Sequence, residues 1–434
     1  MSSSTLPRLR RARRGGFTLV ELLIATVAGF IVALSVIALS RDATKTFQEE
    51  VRASQAETAL RLASERLRAD IQRAGYMGSA NTFTDPYIER GNQATGTFYS
   101  GTHPGIEKML GIYLVNGGSV DVTYTNGSDV ASYSGFNQLN PDTLTLSGNL
   151  TTSDQYLGNY MAGQGSCGGP RFQFSNDDPA VARLLQQGVV DAFRPARDAA
   201  GTPVGTFMAR IYDPSRNRYS IAPVCATSAA GVTPGWIDIA GDPFPAVQPG
   251  ITLTSWVANP VQTVRWRIRR PPNDVNMDPP RFANGRFELV REWLDATIDP
   301  TSKNLSVGMP EVVAEYAVDL KIAFSGETDI STHATASNDF DKAAGNELWT
   351  SPAARIVAIP AGVAPQRIRS VRFRLATRAS LPDRDLNIAP VFGTGANASN
   401  YIYRYCFDAT CTTNLARVRT FVGEVALVNQ AKVF

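Results

Sequence analysis

Histidine is nearly missing from this chain: in 434 residues only His103 and His333 occur. Neither belongs to a zinc-site motif, so no metal centre is expected. Cysteine is scarce too, with Cys167, Cys225, Cys406 and Cys411 and no C-x-x-C pair. A basic excess is also lacking. The formal charge is +3, but the first sixteen residues hold five arginines (Arg8, Arg10, Arg11, Arg13, Arg14) and no acid, which leaves −2 for the remainder. That balance excludes nucleic-acid binding driven by bulk charge. No internal repeat is present. Without a catalytic constellation the chain is expected not to be an enzyme and to need no cofactor, which leaves a membrane-anchored periplasmic enzyme nothing to rest on.

Three features imitate chemistry without carrying it. "GQGSCG" (Gly163 to Gly168) matches G-x-G-x-x-G by letter, but no clear strand precedes it and Pro170 follows. Cys167 as a nucleophile would need a distant histidine, and a disulfide or buried thiol is the simpler reading. Asp339, Asp341 and Glu347 make an acidic loop that misses the EF-hand spacing. An even number of cysteines beyond a membrane segment points to disulfides in an oxidising compartment. Of the three possible pairings, Cys406 with Cys411 closes a short loop and is preferred; Cys167 with Cys225 follows by elimination.

What is present begins at the N-terminus. A basic leader and Gly15-Gly16 precede an apolar run of 24 residues from Phe17 to Ser40, broken only by Glu21. About 20 apolar residues span a bilayer, and the leading arginines place its N-terminal side in the cytoplasm. A cleaved secretory signal would end in small residues after the apolar region, whereas this run passes straight into charged sequence. A twin-arginine signal leaves Glu21 unexplained, since a carboxylate in a membrane costs about 2.5 kcal/mol or more and calls for a partner. The plain alternative is a signal anchor whose Glu21 snorkels. Phe47, Val51, Ala56, Leu60, Ala63, Leu67 and Ile71 then recur at helical steps, with charges such as Glu57, Arg61 and Asp70 between them. One helix is therefore expected from Thr18 to Ala74, with Gly75 and Gly78 as stop signals and Gly29 allowing a bend or a close helix contact.

After Met77 the composition turns to Gly, Asn, Ser, Thr, Asp and Pro with short apolar runs. Alternation predicts strands at "SVDVTYT" (from Ser119), "DTLTLSG" (from Asp142), "TVRWRIRR" (Val264, Trp266, Ile268), "AVDLKIAFSG" (Val318 onward), "SVRFRLATR" (Val371 onward) and "RTFVGEVALVN", where Gly423 marks a bulge. Asn284-Gly285 predicts a hairpin. The expected fold is α+β: a long N-terminal helix packed on a mostly antiparallel, β-rich head, with 80–260 as a large insertion. Arg265, Arg267, Arg269 and Arg270 form one basic strip, and Arg367, Arg369, Arg372, Arg374 and Arg378 another. Alternation puts such arginines on a face in water, opposite the aromatics, so pairing with acidic neighbours is favoured over stacking on DNA.

"RRGGFTLVELLIA" resembles the class III signal of type IV pilins and pseudopilins. The resemblance implies cleavage by prepilin peptidase between Gly16 and Phe17, N-methylation of Phe17, and a charge pair between Glu21 and the Phe17 amine of a neighbouring subunit. "LASERLRADIQRAGYMG", "VVAEYAVDLKIAFSGET", "RIRSVRFRLATR" and "RVRTFVGEVALVNQ" resemble PilW-type minor pilins over about 10–78 and 260–434. Ser79-Ala80 stands where that family often has a cysteine. The resemblance implies a leader (1–16), a transmembrane assembly helix (17–40), an amphipathic helix (41–75) and a periplasmic head (76–434). It also implies inner-membrane lipid, the assembly platform, the major pilin, other minor pilins and a PilY-type tip adhesin as partners, with a place at the pilus tip and roles in twitching motility and adhesion. A minor pseudopilin of type II secretion, or a pilus-displayed module binding DNA or surfaces, are the alternatives.

Overall fold

The computed structural model describes residues 18–82, 85–89, 104–107, 109–115, 141–241, 243–244, 247–269, 287–298, 306–329, 331–337, 365–382, 404–406 and 415–429. The chain divides into two compact units, Met1–Ser54 and Gln55–Phe434. The architecture is α+β: one long N-terminal helix and a β-rich domain.

Helix α1 runs Leu19–Gln72, nearly the span expected. It stops where Gly75 takes a φ of +72°, a conformation glycine adopts without strain. In the second unit the helix buries Leu60, Ala63, Leu67 and Ile71, whereas Phe47 is 66% exposed. Among the described residues three short α-helices follow: α2 (Pro104–Glu107), α3 (Pro179–Gln187) and α4 (Val189–Phe193).

The described strands are β1 (Ile112–Val115), β2 (Thr143–Gly148), β3 (Tyr156–Met161), β4 (Arg171–Phe174), β5 (Phe207–Asp213), β6 (Arg218–Thr227), β7 (Trp236–Ile239), β8 (Thr252–Arg269), β9 (Glu288–Leu294), β10 (Val307–Glu315), β11 (Ala317–Asp329), β12 (Ala334–Ser337), β13 (Ile368–Arg378), β14 (Arg404–Cys406) and β15 (Leu415–Ala426). All pairings among them are antiparallel. The strands expected near 142, 264, 318, 371 and 419 are β2, β8, β11, β13 and β15. Those at 119–125 and the Asn284-Gly285 hairpin lie outside the described residues.

Strand β8, 18 residues long, belongs to two structures at once. At Ala258 it has Tyr156 of β3 on one side and Ile211 of β5 on the other. From β3 the pairing passes through β4, β7 and β6 back to β5. These six strands close a barrel, which removes the free edges of the sheet. Aromatic rings fill it: Tyr160 stacks on Trp256 at 4.6 Å, and Phe244 stands edge-on to both at 5.7 and 4.8 Å. Helices α3 and α4 add Val181, Leu184 and Phe193 to the same cluster. Cys167, in the loop after β3, is disulfide-bonded to Cys225 of β6, the pairing reached by elimination.

The second half of β8 pairs with β2 and β9. There Val264, Trp266 and Ile268 join Leu60, Leu67 and Ile71 of α1 in a larger core. Its other wall is a five-stranded sheet in the order β12-β11-β13-β15-β14, which contributes Leu320, Ile322, Phe373 and Val425. Asp142 ties the two sheets together. Its N–H donates to Leu320 O (2.7 Å) and its Oδ2 accepts from Ile322 N–H (2.9 Å). The bulge expected at Gly423 is not there, because β13 and β15 pair in unbroken register. Gly423 instead makes room for the Phe373 ring, which would lie 2.6 Å from an added Cβ.

The Cys167–Cys225 bridge spans 58 residues, for which loop-closure entropy gives about 4 kcal/mol as an upper figure. Replacing both cysteines with alanine is expected to lower the stability by about 2–4 kcal/mol, measured as a lower urea midpoint in detergent solution.

Candidate functional site

The strongest functional chemistry lies in the apolar half of α1. From Leu19 to Leu39 its large apolar side chains are all exposed, between 52% at Val27 and 79% at Leu19. The helix is long and apolar enough to cross a membrane, and its position is compatible with membrane anchoring. Its hydroxyls are satisfied internally: Thr26 donates to Leu23 O at 2.9 Å and Ser35 to Ile31 O at 2.8 Å. Hydrocarbon requires that internal pairing of polar groups.

Glu21 finds its first partner three residues upstream. The N–H and the hydroxyl of Thr18 both donate to Glu21 Oε2 at 2.9 Å, and Glu21 N–H donates back to Thr18 Oγ1 at 3.2 Å. This is a capping box, which satisfies donors that the first turn leaves open. The T-x-x-E spacing at 18–21 carried that signal, and sequence reasoning passed over it. Gly16 and Phe17, the expected cleavage and methylation positions, lie outside the described residues.

At the other end of α1 stands a residue read from the sequence as one of the intervening charges. Asp70 is 2% exposed. Its Oδ2 accepts from Arg291 Nε at 2.6 Å and from Trp266 Nε1 at 3.0 Å. Arg291 stacks on Trp293 at 4.1 Å and reaches Glu311, which also pairs with Arg66 of the helix. The helix end is further tied by Gly75 N–H to Ser147 O (2.8 Å) and by the Asn429 side-chain amide to Gln72 O (2.7 Å). Asp70 follows Ala63 by seven and Leu67 by three, which places it on the buried face and was the legible clue.

The two basic strips behave differently from the expectation of one face in water. Arg265, Arg267 and Arg269 are 2%, 6% and 7% exposed, because β8 is covered on both faces. Glu292 takes Arg265 and Arg267, and Glu288 takes Arg269. Burial works to raise the Glu292 carboxyl, but the two guanidinium groups outweigh it and hold its pKa below the ordinary range. Pairing with acidic neighbours therefore holds for β8, and these arginines present no open basic strip. On the second strip Arg369 meets Glu327 at 2.7 Å, Arg367 donates to Thr328 O, and Arg378 stacks between Tyr316 and Tyr405. Arg374 meets Asp319 at 2.6 Å. Burial pushes the Asp319 carboxyl up to about 6, with Arg374 and Lys321 opposing the rise and Asp142 adding to it.

Cys406 pairs through its backbone with Leu415, while Cys411 lies outside the described residues, as do Arg270, His103, Asp339, Asp341 and Glu347. Cys167 is held as a disulfide and not as a nucleophile. In "GQGSCG", Gly165 N–H donates to Gly169 O and Ser166 N–H to Asp238 Oδ2. Asp238 is also clasped by Arg171 at 2.7 and 2.9 Å.

Asp70→Asn is expected to cost about 3 kcal/mol, since buried Arg291 loses its close counter-ion and keeps only the longer contact with the exposed Glu311; urea denaturation followed by tryptophan fluorescence reads it. Asp319 gives a pH test. Its native pKa exceeds the ordinary value, so between about pH 4 and 6 the native state binds a proton that the unfolded chain does not. Its contribution to stability is present at low pH and declines as pH rises through that window. Asp319→Asn is expected to remove this component, so that the stability difference between variant and parent changes between pH 4 and 6 and is flat above it.

Comparison with known protein families, with curated proteins and with solved structures finds no match for this chain.

Proposed function

We propose that this chain is a minor pilin of the PilW type, which helps to prime assembly of a type IV pilus in the inner membrane and stands near its tip. The observation that carries the reading is the make-up of α1. One continuous helix begins with an uncovered apolar run opened by the Thr18–Glu21 box and ends with a buried run fixed by Asp70. A single copy leaves the apolar run to be covered by lipid or by like helices, and a subunit that moves from membrane to filament uses both.

In this reading prepilin peptidase removes 1–16 and frees the Phe17 amine, which is then methylated. Glu21, already oriented by Thr18, meets the amine of the next subunit. In low dielectric that pair selects partner and register more than it adds net stability. The head would remain periplasmic until assembly, with the barrel as the part most distinct from a simple pilin sheet and a natural place for contacts with other minor pilins or a tip adhesin.

The deciding experiment is the intact mass of the protein from cells with and without prepilin peptidase. The expected result is loss of residues 1–16 and gain of one methyl group, only where the peptidase is present. An unprocessed N-terminus in both strains overturns the reading and leaves a plain membrane anchor. Lost twitching motility with intact secretion separates the pilus from a type II secretion role.

A further inference from the structure

Strand β5 alternates across the barrel wall. Ala209 and Ile211 point into the barrel cluster, while Met208 packs in a separate outer cluster with Tyr219, Ile221 and Val261. Arg210 therefore lies on the outer face, directly across from Asn259 of β8 and Ile221 of β6. Its guanidinium sits over the Tyr219 ring at 4.2 Å and the Tyr212 ring at 5.2 Å. Two rings hold the plane of the group, so the fork of N–H donors is oriented in advance.

A desolvated arginine ordinarily takes a carboxylate. Four of the deep arginines described above do so, Arg265 and Arg267 on Glu292, Arg291 on Asp70 and Arg374 on Asp319, while Arg378 donates to the carbonyls of Ala379 and Ser380. Arg210 does not. Its Nε is buried without a hydrogen-bond partner, and so is Asn259 Oδ1 across from it. Burial lowers the pKa of this guanidinium, and the nearby Tyr219, Asp85 and Tyr212 act against that. Asp85 itself is occupied: it accepts from the Tyr219 hydroxyl, from Ser79 Oγ at 2.9 Å and from Tyr87 N–H at 2.9 Å. Asn259 uses its amide N–H on Asp154 O at 3.0 Å.

We propose that Arg210 is a docking point for an acidic side chain of a partner protein, whose carboxylate takes the guanidinium that no carboxylate among the described residues occupies. The side chain is half-buried, so part of the group reaches solvent. An oriented fork matches two carboxylate oxygens. Asp85, hydrogen-bonded behind Tyr219, already supplies one negative charge to the neighbourhood. A second single charge is tolerated there, whereas a phosphate dianion is disfavoured. Arginine flanked by tyrosines is also the residue combination on which protein interfaces concentrate their affinity.

The full-length protein in detergent is titrated with a tetraglutamate peptide and binding is read by calorimetry. The expected result is saturable one-to-one binding, weakened about tenfold or more in Arg210→Met, as for loss of a charge-assisted hydrogen-bonded contact, and weakened also in Arg210→Lys. Inorganic phosphate at equal concentration is expected not to displace the peptide. Arg218→Ala, which removes an exposed arginine donating to Pro86 O, is expected to bind as the parent does. Absence of saturable binding, equal affinity in Arg210→Met, equal weakening in Arg218→Ala, or displacement by phosphate overturns the proposal. Should Arg210→Met fail to fold, the unaltered protein decides the matter. Peptide is expected to protect Arg210 from phenylglyoxal, mapped by mass spectrometry, and equal modification with and without peptide overturns it.

Discussion

The buried contact of Asp70 with Arg291 and Trp266 sets the position of the helix in its domain. A carboxylate taken out of water loses several kcal/mol of hydration, which is regained only when donors meet it in good geometry. Here one donor comes from β9 and another from β8, so the helix must present Asp70 to both strands together. A slip of one residue would turn Asp70 about 100° away and strand a guanidinium in the core. An apolar residue at the same place would pack comparably well but would tolerate other registers. The contact is best understood as a device for uniqueness. It is supported by the helix-end bonds to Ser147 and Asn429, which come from strands or tails far away in sequence.

Strand β8 extends that logic from one helix to the whole second unit. Its first half closes the aromatic barrel and its second half faces the helix, so both cores share one backbone. Burial on both faces explains the fate of its arginines. A strand with one face in water can leave alternating arginines unpaired at little cost, but a covered strand cannot. Glu292 and Glu288 on β9 supply the counter-charge at the same register, Arg265 opposite Glu292 and Arg269 opposite Glu288. Asp142 plays a parallel part between the sheets, using its main chain and carboxylate on β11.

Much of this was legible in the residues. The apolar run, the amphipathic stripe and the alternation in β8, β11 and β13 all follow from side-chain period alone, because each element is long enough to show it. Three kinds of feature were not. Strands β3, β4 and β7 are four to six residues long, too short for a period to stand out, and barrel closure depends on pairings between distant segments. The alternation of β8 showed two faces but not that both are covered, since the covering strands lie elsewhere in sequence. Gly423 reads as a bulge in isolation; only the ring of Phe373 from the neighbouring strand explains it. In contrast, the Thr18–Glu21 box and the placement of Asp70 were local and readable by spacing.

The shared strand also has a consequence for the order of folding. Strands β3 and β5 form the two seams of the barrel, and both seams are closed by β8, at 252–269. Until that segment is in place, residues 156–239 hold an open sheet with two unsatisfied edges, and α1 lacks Trp266. Assembly of both cores is thus tied to the arrival of one stretch of chain. Contacts so distant in sequence close slowly, and a β-rich domain left with open edges is exposed to wrong strand pairing and aggregation until they do.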